Sequence, residues 1–476
     1  MIIFRMQRIP DSPLPVARNY PITKKHSTMK TIELEEARRL VAEGGLLPDA
    51  ERYELQQQRL RELVAYAREH SPYFAKLYAD VPEDFKLTDL PPTEKPTLLA
   101  NYDDWVTDRR LHLQDVLDYV NRDPTKDQSR LLGDYTALRT SGSTGNPLPM
   151  VRDDYHNKIH GQLVAQRLLA GACTDAMDIS KHRRASVIHL SNGASSYGAF
   201  LRMKAAHPEH ADNLLGISVL ESVQTIVDKL NDFQPETMAG YPSMMVQLAV
   251  EQLQGRLHIS LKHLATSAEM LSEENFNLLR EAFQCPVANN YCMTEGGEIA
   301  MTRNCPHLHI NDDWVIVEPV DKDLKPLGMS DEWSTGILVT DLSNFVQPII
   351  RYHVGDVIRV RPSTSDCCPL PIMQIQGRTF DSYTICGCTF NVVGLFSKAE
   401  VWPDLVRFQF VQTDEDTIEV RGVCKSDPQT VLPPLCKRLK EFLAQQDCPD
   451  ARFTWSTEPA IPNKRGGKIP IFVKNF

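Results

Sequence analysis

No run of apolar residues in this chain is long enough to span a bilayer, so a bundle of membrane helices is excluded. The opening run Met1-Ile-Ile-Phe4 is too short for a signal-peptide core, and no small-residue cleavage site follows it. Positive charge is also in short supply. The chain has 52 Lys and Arg against 62 Asp and Glu, a formal net charge of −10. That argues against binding nucleic acid through broad electrostatics. Cysteine is odd in number: 11 are spread over 476 residues. The pattern suits a reducing compartment, so a cytoplasmic location is expected, and it does not suit a disulfide framework. Internal repeats and low-complexity tracts are missing as well. What is present is ordinary for a globular protein, with 42% hydrophobic and 24% charged residues. The length allows more than one domain.

Residues 1–30 are basic and proline-containing and read as a disordered tail, with Met29 a second candidate for the first residue. Apolar residues at three-to-four spacing predict helices over 33–41 and 53–79, with Pro72 starting or interrupting one. Residues 87–108, with Pro91, Pro92 and Pro96, read as loop. A helix is expected over 160–169. Strand patterns at 185–190, 237–242, 264–267 and 287–290 then alternate with helix patterns at 221–233, 243–253 and 272–283, the last capped by Ser272. The alternation predicts an α/β domain with a largely parallel sheet. Ligands of such sheets sit beyond the carboxyl ends of the strands. Short β patterns at 315–317, 336–340, 349–352 and 357–360 predict a meander or small barrel. The chain after residue 377 suffices for a small α+β domain.

The most informative segment is Thr140-Ser-Gly-Ser-Thr-Gly-Asn-Pro147. Gly142 and Gly145 permit a sharp turn close to a ligand. Backbone N–H groups and the hydroxyls of Thr140, Ser141, Ser143 and Thr144 can converge on a polyphosphate. The loop lacks the Gly-Lys-Ser/Thr ending of a P-loop, and taken alone it also fits a polar surface turn. Further on, Tyr291-Cys-Met-Thr-Glu295 follows a strand. Its Tyr291 can stack on a base, Thr294 can bond a phosphate, and Glu295 offers the hard oxygen Mg²⁺ prefers. Asp356, after Gly355, can accept two hydrogen bonds from a ribose. Gly377-Arg-Thr-Phe-Asp381 suits a hinge. Lys464-Arg-Gly-Gly-Lys468 is a mobile tip able to deliver one cation to a distant site. Cys305, His307, His309 and the pair Cys367-Cys368 have ligand types and spacing that suit zinc, or else buried cysteines acting as small apolar groups.

In this order, with Ser267-Ala-Glu269 added, the motifs resemble the adenylate-forming superfamily. The phenylacetate–CoA ligase-like branch is the nearest match. Residues 63–74 and 89–95, Gly240-Tyr-Pro-Ser243 and Pro348-Ile-Ile-Arg-Tyr352 resemble that branch too, so the similarity runs from about residue 55 to the end. The resemblance implies a large ATP- and acid-binding domain over 31–376, a hinge over 377–381 and a mobile lid over 382–476. It implies that a carboxylate attacks ATP to give an acyl-adenylate and pyrophosphate, and that a thiol, usually CoA, then displaces AMP. Thr140, Ser141, Gly142, Ser143, Thr144 and Gly145 would hold pyrophosphate. Ser267, Ala268, Glu269 and Tyr291 would surround adenine. Thr294 would hold the α-phosphate, Glu295 the Mg²⁺, and Asp356 with Arg378 the ribose. Lys468 would be the catalytic lysine.

The family's hinge reads Gly-Arg-Ser/Thr-Asp-Asp, and here Phe380 replaces the first Asp, which leaves Asp381 for the hinge role. Relatives in this branch carry a structural zinc, which implies Cys305, His309, Cys367 and Cys368 as its ligands. The acid pocket is expected near His189, Ser195, Tyr197, Tyr241, Asn289 and Asn290, and an aromatic acid fits those residues. The acceptor of the acyl group is CoA, a carrier-protein thiol or an amine. A non-catalytic nucleotide binder is the reading of another class. A monomer or homodimer is expected.

Overall fold

A computed structural model describes residues 30–123, 127, 129–140, 147–169, 180–190, 195–303, 305–363, 368–378, 382–391, 395, 399, 402–445, 448–462 and 469–476. The fold is α/β with a smaller C-terminal unit. Its centre is a nine-stranded mixed sheet. One half is parallel, with β4 (Leu214–Ser218), β3 (Arg184–Ile188), β5 (Thr237–Gly240), β6 (His263–Ser267) and β7 (Val287–Met293) side by side. These strands are short, mostly buried runs, as a sheet covered on both faces requires. The helices Val223–Phe233, Pro242–Leu253 and Glu273–Phe283 follow β4, β5 and β6. Two of them start on side-chain caps, for Ser222 accepts from Thr225 N–H and Ser272 from Asn275 N–H. Their apolar faces pack on the sheet in one core that includes Ile226, Met245, Leu248 and Leu279.

The other half of the sheet is antiparallel. It runs through β8 (Gly297–Thr302), β9 (Leu308–Ile310), β14 (Ile372–Arg378) and β13 (Asp356–Arg361). The expected meander is therefore only partly a separate unit. A three-stranded sheet of β10 (Val315–Val320), β11 (Gly336–Asp341) and β12 (Tyr352–Val354) stands apart, while residues 356–361 join the main sheet. The strand expected over 349–352 is displaced toward the C-terminus. Ile349 and Ile350 are buried because they pack in the large core, not because they pair in a strand.

The amino-terminal region brings two further differences. The helical pattern of 53–79 is split into Asp49–His70 and Pro72–Leu77, with Ser71 capping the second helix by accepting from Phe74 N–H. The stretch read as loop holds the short helices Lys95–Ala100 and Tyr102–Trp105. Pro96 starts a helix there instead of breaking one, because the first turn needs no N–H from it.

In sequence the phosphate-loop segment falls between β1 (Thr136–Arg139) and β2 (Pro149–Arg152), which pair antiparallel. Thr140 closes the pair, its N–H donating to Leu148 O at 3.0 Å and its hydroxyl accepting from Leu148 N–H at 2.9 Å. Gln347 ties the pair to the large domain by accepting from Val151 N–H and donating to Pro149 O.

The C-terminal unit has its own core, including Phe410, Val420, Leu432, Leu439 and Phe472. Its sheet orders β19 (Arg452–Ser456), β18 (Thr417–Cys424), β17 (Leu405–Gln412) and β20 (Phe472–Lys474), and the helix Pro428–Ala444 covers it. Val406 of β17 is buried in the core of the large domain's parallel half, so the small unit packs directly on the helix Pro242–Leu253. Among the described residues, no helix is long and apolar enough to cross a membrane.

Candidate active site

Because β3, β5, β6 and β7 are adjacent and parallel, the loops after them open on one edge of the sheet. His189, Tyr241, the segment Ser267-Ala-Glu269 and the segment Tyr291 to Glu295 are brought to that edge from positions a hundred residues apart. Ala268 has φ +74°, a left-handed conformation that costs an L-residue roughly 1–2 kcal/mol. The turn it makes reverses the chain after β6. Glu269 then accepts from Ser243 N–H at 3.0 Å through one oxygen and from Ile469 N–H at 3.0 Å through the other. The second bond crosses from the large domain to the C-terminal unit, and Ile469 is the covalent neighbour of Lys468. Glu269 therefore meets the small unit as well as the edge where a nucleotide would lie.

Next to this turn, Tyr291 donates its phenol hydrogen to Asp356 Oδ2. Asp356 is buried and sits opposite Arg378 in the β13–β14 register. Glu295 accepts from the Tyr352 hydroxyl at 3.2 Å. Burial and the charge of Glu295 both push the Tyr352 phenol above its ordinary pKa, so it stays a donor. Lys95 feels the same carboxylate. Burial lowers its pKa and Glu295 opposes that shift. Arg152 donates to Thr294 O at 2.9 Å. Glu295 is thus flanked by a hydroxyl and a cation, at the end of β7.

The acid-pocket residues divide. His189 N–H donates to the Tyr241 hydroxyl at 3.3 Å, while burial holds the His189 pKa below the usual range and raises that of Tyr241. Buried atoms His189 Nδ1, Ser243 Oγ and Asn290 Oδ1 have no hydrogen-bond partner among the described residues. Polar groups left so are where a ligand would complete the bonding. Asn289 differs, because its side-chain oxygen accepts from the Thr266 hydroxyl at 3.0 Å, which commits it to the sheet. Tyr197 packs with Phe200 and Leu214 in a small cluster. Ser141 to Gly145, Asp381, Cys367 and Lys468 lie outside the described residues, as do the side chains of Ser195 and Arg378.

Of the zinc ligands expected, Cys305 and His309 face one another, with Sγ to Nε2 at 3.3 Å, and His309 Nδ1 is bonded to Leu370 O at 2.8 Å. That second bond fixes the tautomer a metal-binding imidazole needs. Cys368 is buried, and Cys367 lies outside the described residues. A different group, His156, His160 and Asp341, brings three ligand atoms together in the interior. His156 Nε2 lies 3.1 Å from Asp341, and His160 Nδ1 lies 2.6 Å from Glu298. The two rings stack at 4.0 Å with 16° between their planes. Stacked rings aim their in-plane lone pairs in parallel, which converges poorly on one ion, so the group reads as a charge network. Burial works against a charged His160, yet Asp341 and Glu298 outweigh it and raise the pKa to about 9. Burial and the charge of His160 push His156 down to about 3.

Lys95, Arg152, Tyr352 and Ser243 were not foreseen as site residues. Lys95 ends one of the early family-like segments, but sequence spacing carries no sign of its approach to a residue two hundred positions away.

No protein-family model matches the chain. Protein CapK of Staphylococcus aureus is 24% identical over 442 residues, 89% of each chain. The phenylacetate-coenzyme A ligase of Thermus thermophilus is 26% identical over 395 residues, 78% of this chain and 81% of its own. Among solved structures, 2-hydroxyisobutyryl-CoA ligase in its postadenylation state with R3-HIB-AMP superposes with a TM-score of 0.65. The identity there is 16%, over 91% of this chain and 92% of that one. The fold is that of the adenylate-forming CoA ligases, and the relatives similar to it in sequence include AMP-forming ligases of that kind. Within that superfamily the chain is similar in sequence to the phenylacetate–CoA ligase-like branch.

Proposed function

We propose that this protein activates a carboxylic acid with ATP, releases pyrophosphate, and passes the acyl group from the acyl-adenylate to the thiol of CoA with release of AMP. The observation that carries the reading is the hydrogen bond from Ile469 N–H to Glu269. It supports a closed lid that brings the chain beside Lys468 to the nucleotide edge. There the ammonium group would neutralise charge gathering on the phosphorus and on the attacking carboxylate. Asp356, held by Tyr291, accepts from the ribose hydroxyls, with Arg378 beside it. Adenine lies against Tyr291 and the Ser267-Ala-Glu269 turn. Thr140 to Gly145 hold the departing pyrophosphate, and Thr294 holds the α-phosphate.

Glu295 would hold Mg²⁺, its hard carboxylate oxygen suiting that ion, which when bound offsets phosphate charge. Cys305, His309, Cys367 and Cys368 would supply the four ligands of a structural zinc.

The acid lies beside His189, Ser195, Tyr197, Tyr241 and Asn290, where aromatic walls and unpaired polar atoms favour an aromatic acid over a simple alkyl one. The lid divides at the hinge around Asp381, and the enzyme works in the cytoplasm. Transfer to a carrier-protein thiol or an amine is the competing second step. A non-catalytic nucleotide binder would have no use for Lys468. The test is AMP release from ATP with a panel of carboxylic acids, each with CoA, with a carrier protein, or alone. Release that needs both an acid and CoA supports the reading. ATP binding with no AMP under any pairing would refute it.

A further inference from the structure

Strand β17 turns one charged side chain toward the seam between the small unit and the large domain. Arg407 is 7% exposed, and its Nε and both terminal nitrogens lack a hydrogen-bond partner among the described residues. Burial lowers its pKa to about 10, against the pull of Glu269, so it stays charged at neutral pH. Glu269 compensates only through space, since its two oxygens already accept from Ser243 and Ile469. A buried ion with no bonded partner costs several kcal/mol. The geometry asks for an acceptor.

In front of Arg407 lies a cavity of about 160 Å³. Its walls come from both bodies. Val223 and Gln247 belong to helices of the large domain, and Arg421 and Thr457 to the small unit. Arg421 is engaged elsewhere, donating to Glu419 at 2.6 Å and to Pro459 O at 2.8 Å. Glu458 stands exposed at the rim. Sites for drug-sized ligands begin near roughly 300 Å³, so a nucleotide or an acyl chain does not fit here. The space equals about five waters at roughly 30 Å³ each. A planar guanidinium with all its N–H groups open matches an oxyanion in a two-pronged way. The Gln247 amide and Thr457 hydroxyl offer further donors, which suits the three oxygens of a phosphate group better than the two of a carboxylate.

We propose that this seam is a binding site for a phosphate-type oxyanion, held by Arg407, and that its occupation favours the lid position in which Ile469 meets Glu269. The site exists only when the two bodies are together, so an anion bound there shifts the lid toward closure by its affinity for that state alone. The inference stands apart from the choice of acid and needs no turnover.

The test is a calorimetric titration of the full chain with inorganic phosphate, with the nucleotide cleft filled by an ATP analogue that cannot be cleaved between its α- and β-phosphates. Saturable binding is expected, weakened tenfold or more in Arg407→Met and less in Arg407→Lys. Equal affinity in wild type and Arg407→Met, or no saturable binding in wild type, overturns the proposal. Should Arg407→Met fail to fold, Gln247→Ala and Thr457→Val take its place. A few-fold loss in each is expected, and unchanged affinity in both overturns the site. Competition then identifies the source. CoA competing where CoA lacking its 3′-phosphate does not assigns the group to a thiol co-substrate. Failure of both to compete assigns it to free phosphate, and either result upholds the site. Wild-type protein that releases AMP but shows no saturable phosphate binding would defeat this site and leave the proposed reaction standing, and the reverse would do the opposite.

Discussion

Two buried polar clusters in this molecule are built in opposite ways. One, around His156, His160, Asp341 and Glu298, is bonded largely within itself, with His156 Nδ1 its one atom lacking a partner among the described residues. The second, along the sheet edge and lid seam, leaves His189 Nδ1, Ser243 Oγ, Asn290 Oδ1 and the Arg407 guanidinium without partners among the described residues. In the first cluster most charges are met, since His160 faces both Glu298 and Asp341 while His156 and Ser343 are also bonded to Asp341. A closed network holds elements in place, here tying the helix Asp154–Leu163 to β8 and β11. An open one waits for something from outside. The contrast predicts that changes in the closed cluster act on stability and changes in the open one act on turnover.

The largest effect belongs to the open side. Lys468→Ala is expected to lower pyrophosphate exchange by about a hundredfold or more while ATP still binds, the size expected when a charge-stabilising donor is lost. Isotope exchange and a nucleotide titration read the two quantities separately, and full exchange in the variant would remove the role given to Lys468.

On the closed side, Asp341→Asn strips one of the two counter-charges of buried His160, and the partner charge of His156 with it, and is expected to destabilise the fold by about 3–5 kcal/mol in urea unfolding. A variant with wild-type stability and lost activity would reverse the assignment of the two clusters.

Glu269→Ala comes next. It removes the acceptor of Ile469 N–H, so adenylation should fall roughly tenfold, on the order of one charge-assisted hydrogen bond. Thioester formation from supplied acyl-adenylate should change little, because that step uses another lid position. An equal fall in both steps would show that Glu269 serves the nucleotide and not the lid.

The closed cluster also has a pH signature. His160 is raised to about 9 from an unfolded value near 6.5. Its contribution is therefore complete below about pH 6.5 and is lost as pH rises through about 9. Asp341 and Glu298 are held below their ordinary range, burial opposing and the histidines prevailing, so their contribution disappears as the solution turns acidic. Unfolding measured at pH 6 and pH 10 should show the alkaline loss in wild type and much less of it in His160→Gln.

The smallest effect is Tyr291→Phe, which deletes one hydrogen bond to Asp356. A rise of a few-fold in the KM for ATP is expected, with kcat nearly unchanged.

Much of the parallel half of the sheet can be read from the chain. Its strands are short apolar runs, Ser272 marks a helix start where the structure has one, and the helix read from residue 243 begins one residue earlier, at Pro242. What resisted reading had physical causes. Pro96 looks like a breaker but starts a helix, since position within the turn, and not composition, decides. Residues 349–350 look like a strand because burial and strand pairing leave the same apolar mark. In the site, Tyr291, Glu295 and Asp356 stand out because each follows a strand or a glycine. Lys95 and Arg152 do not, because folding alone carries them to the β7 loop. Arg407 is invisible for another reason. In the alternating run Arg407-Phe-Gln-Phe410 it reads as a solvent-facing charge, and only the packing of the small unit on the helix Pro242–Leu253 buries it.

The most direct measurement of the central claim is acid-dependent exchange of labelled pyrophosphate into ATP by the wild-type protein across a panel of aromatic and aliphatic carboxylic acids. Exchange that appears with at least one acid, needs Mg²⁺ and is silent without the acid is the predicted result. ATP bound at the sheet edge with no exchange under any acid in the panel would contradict it.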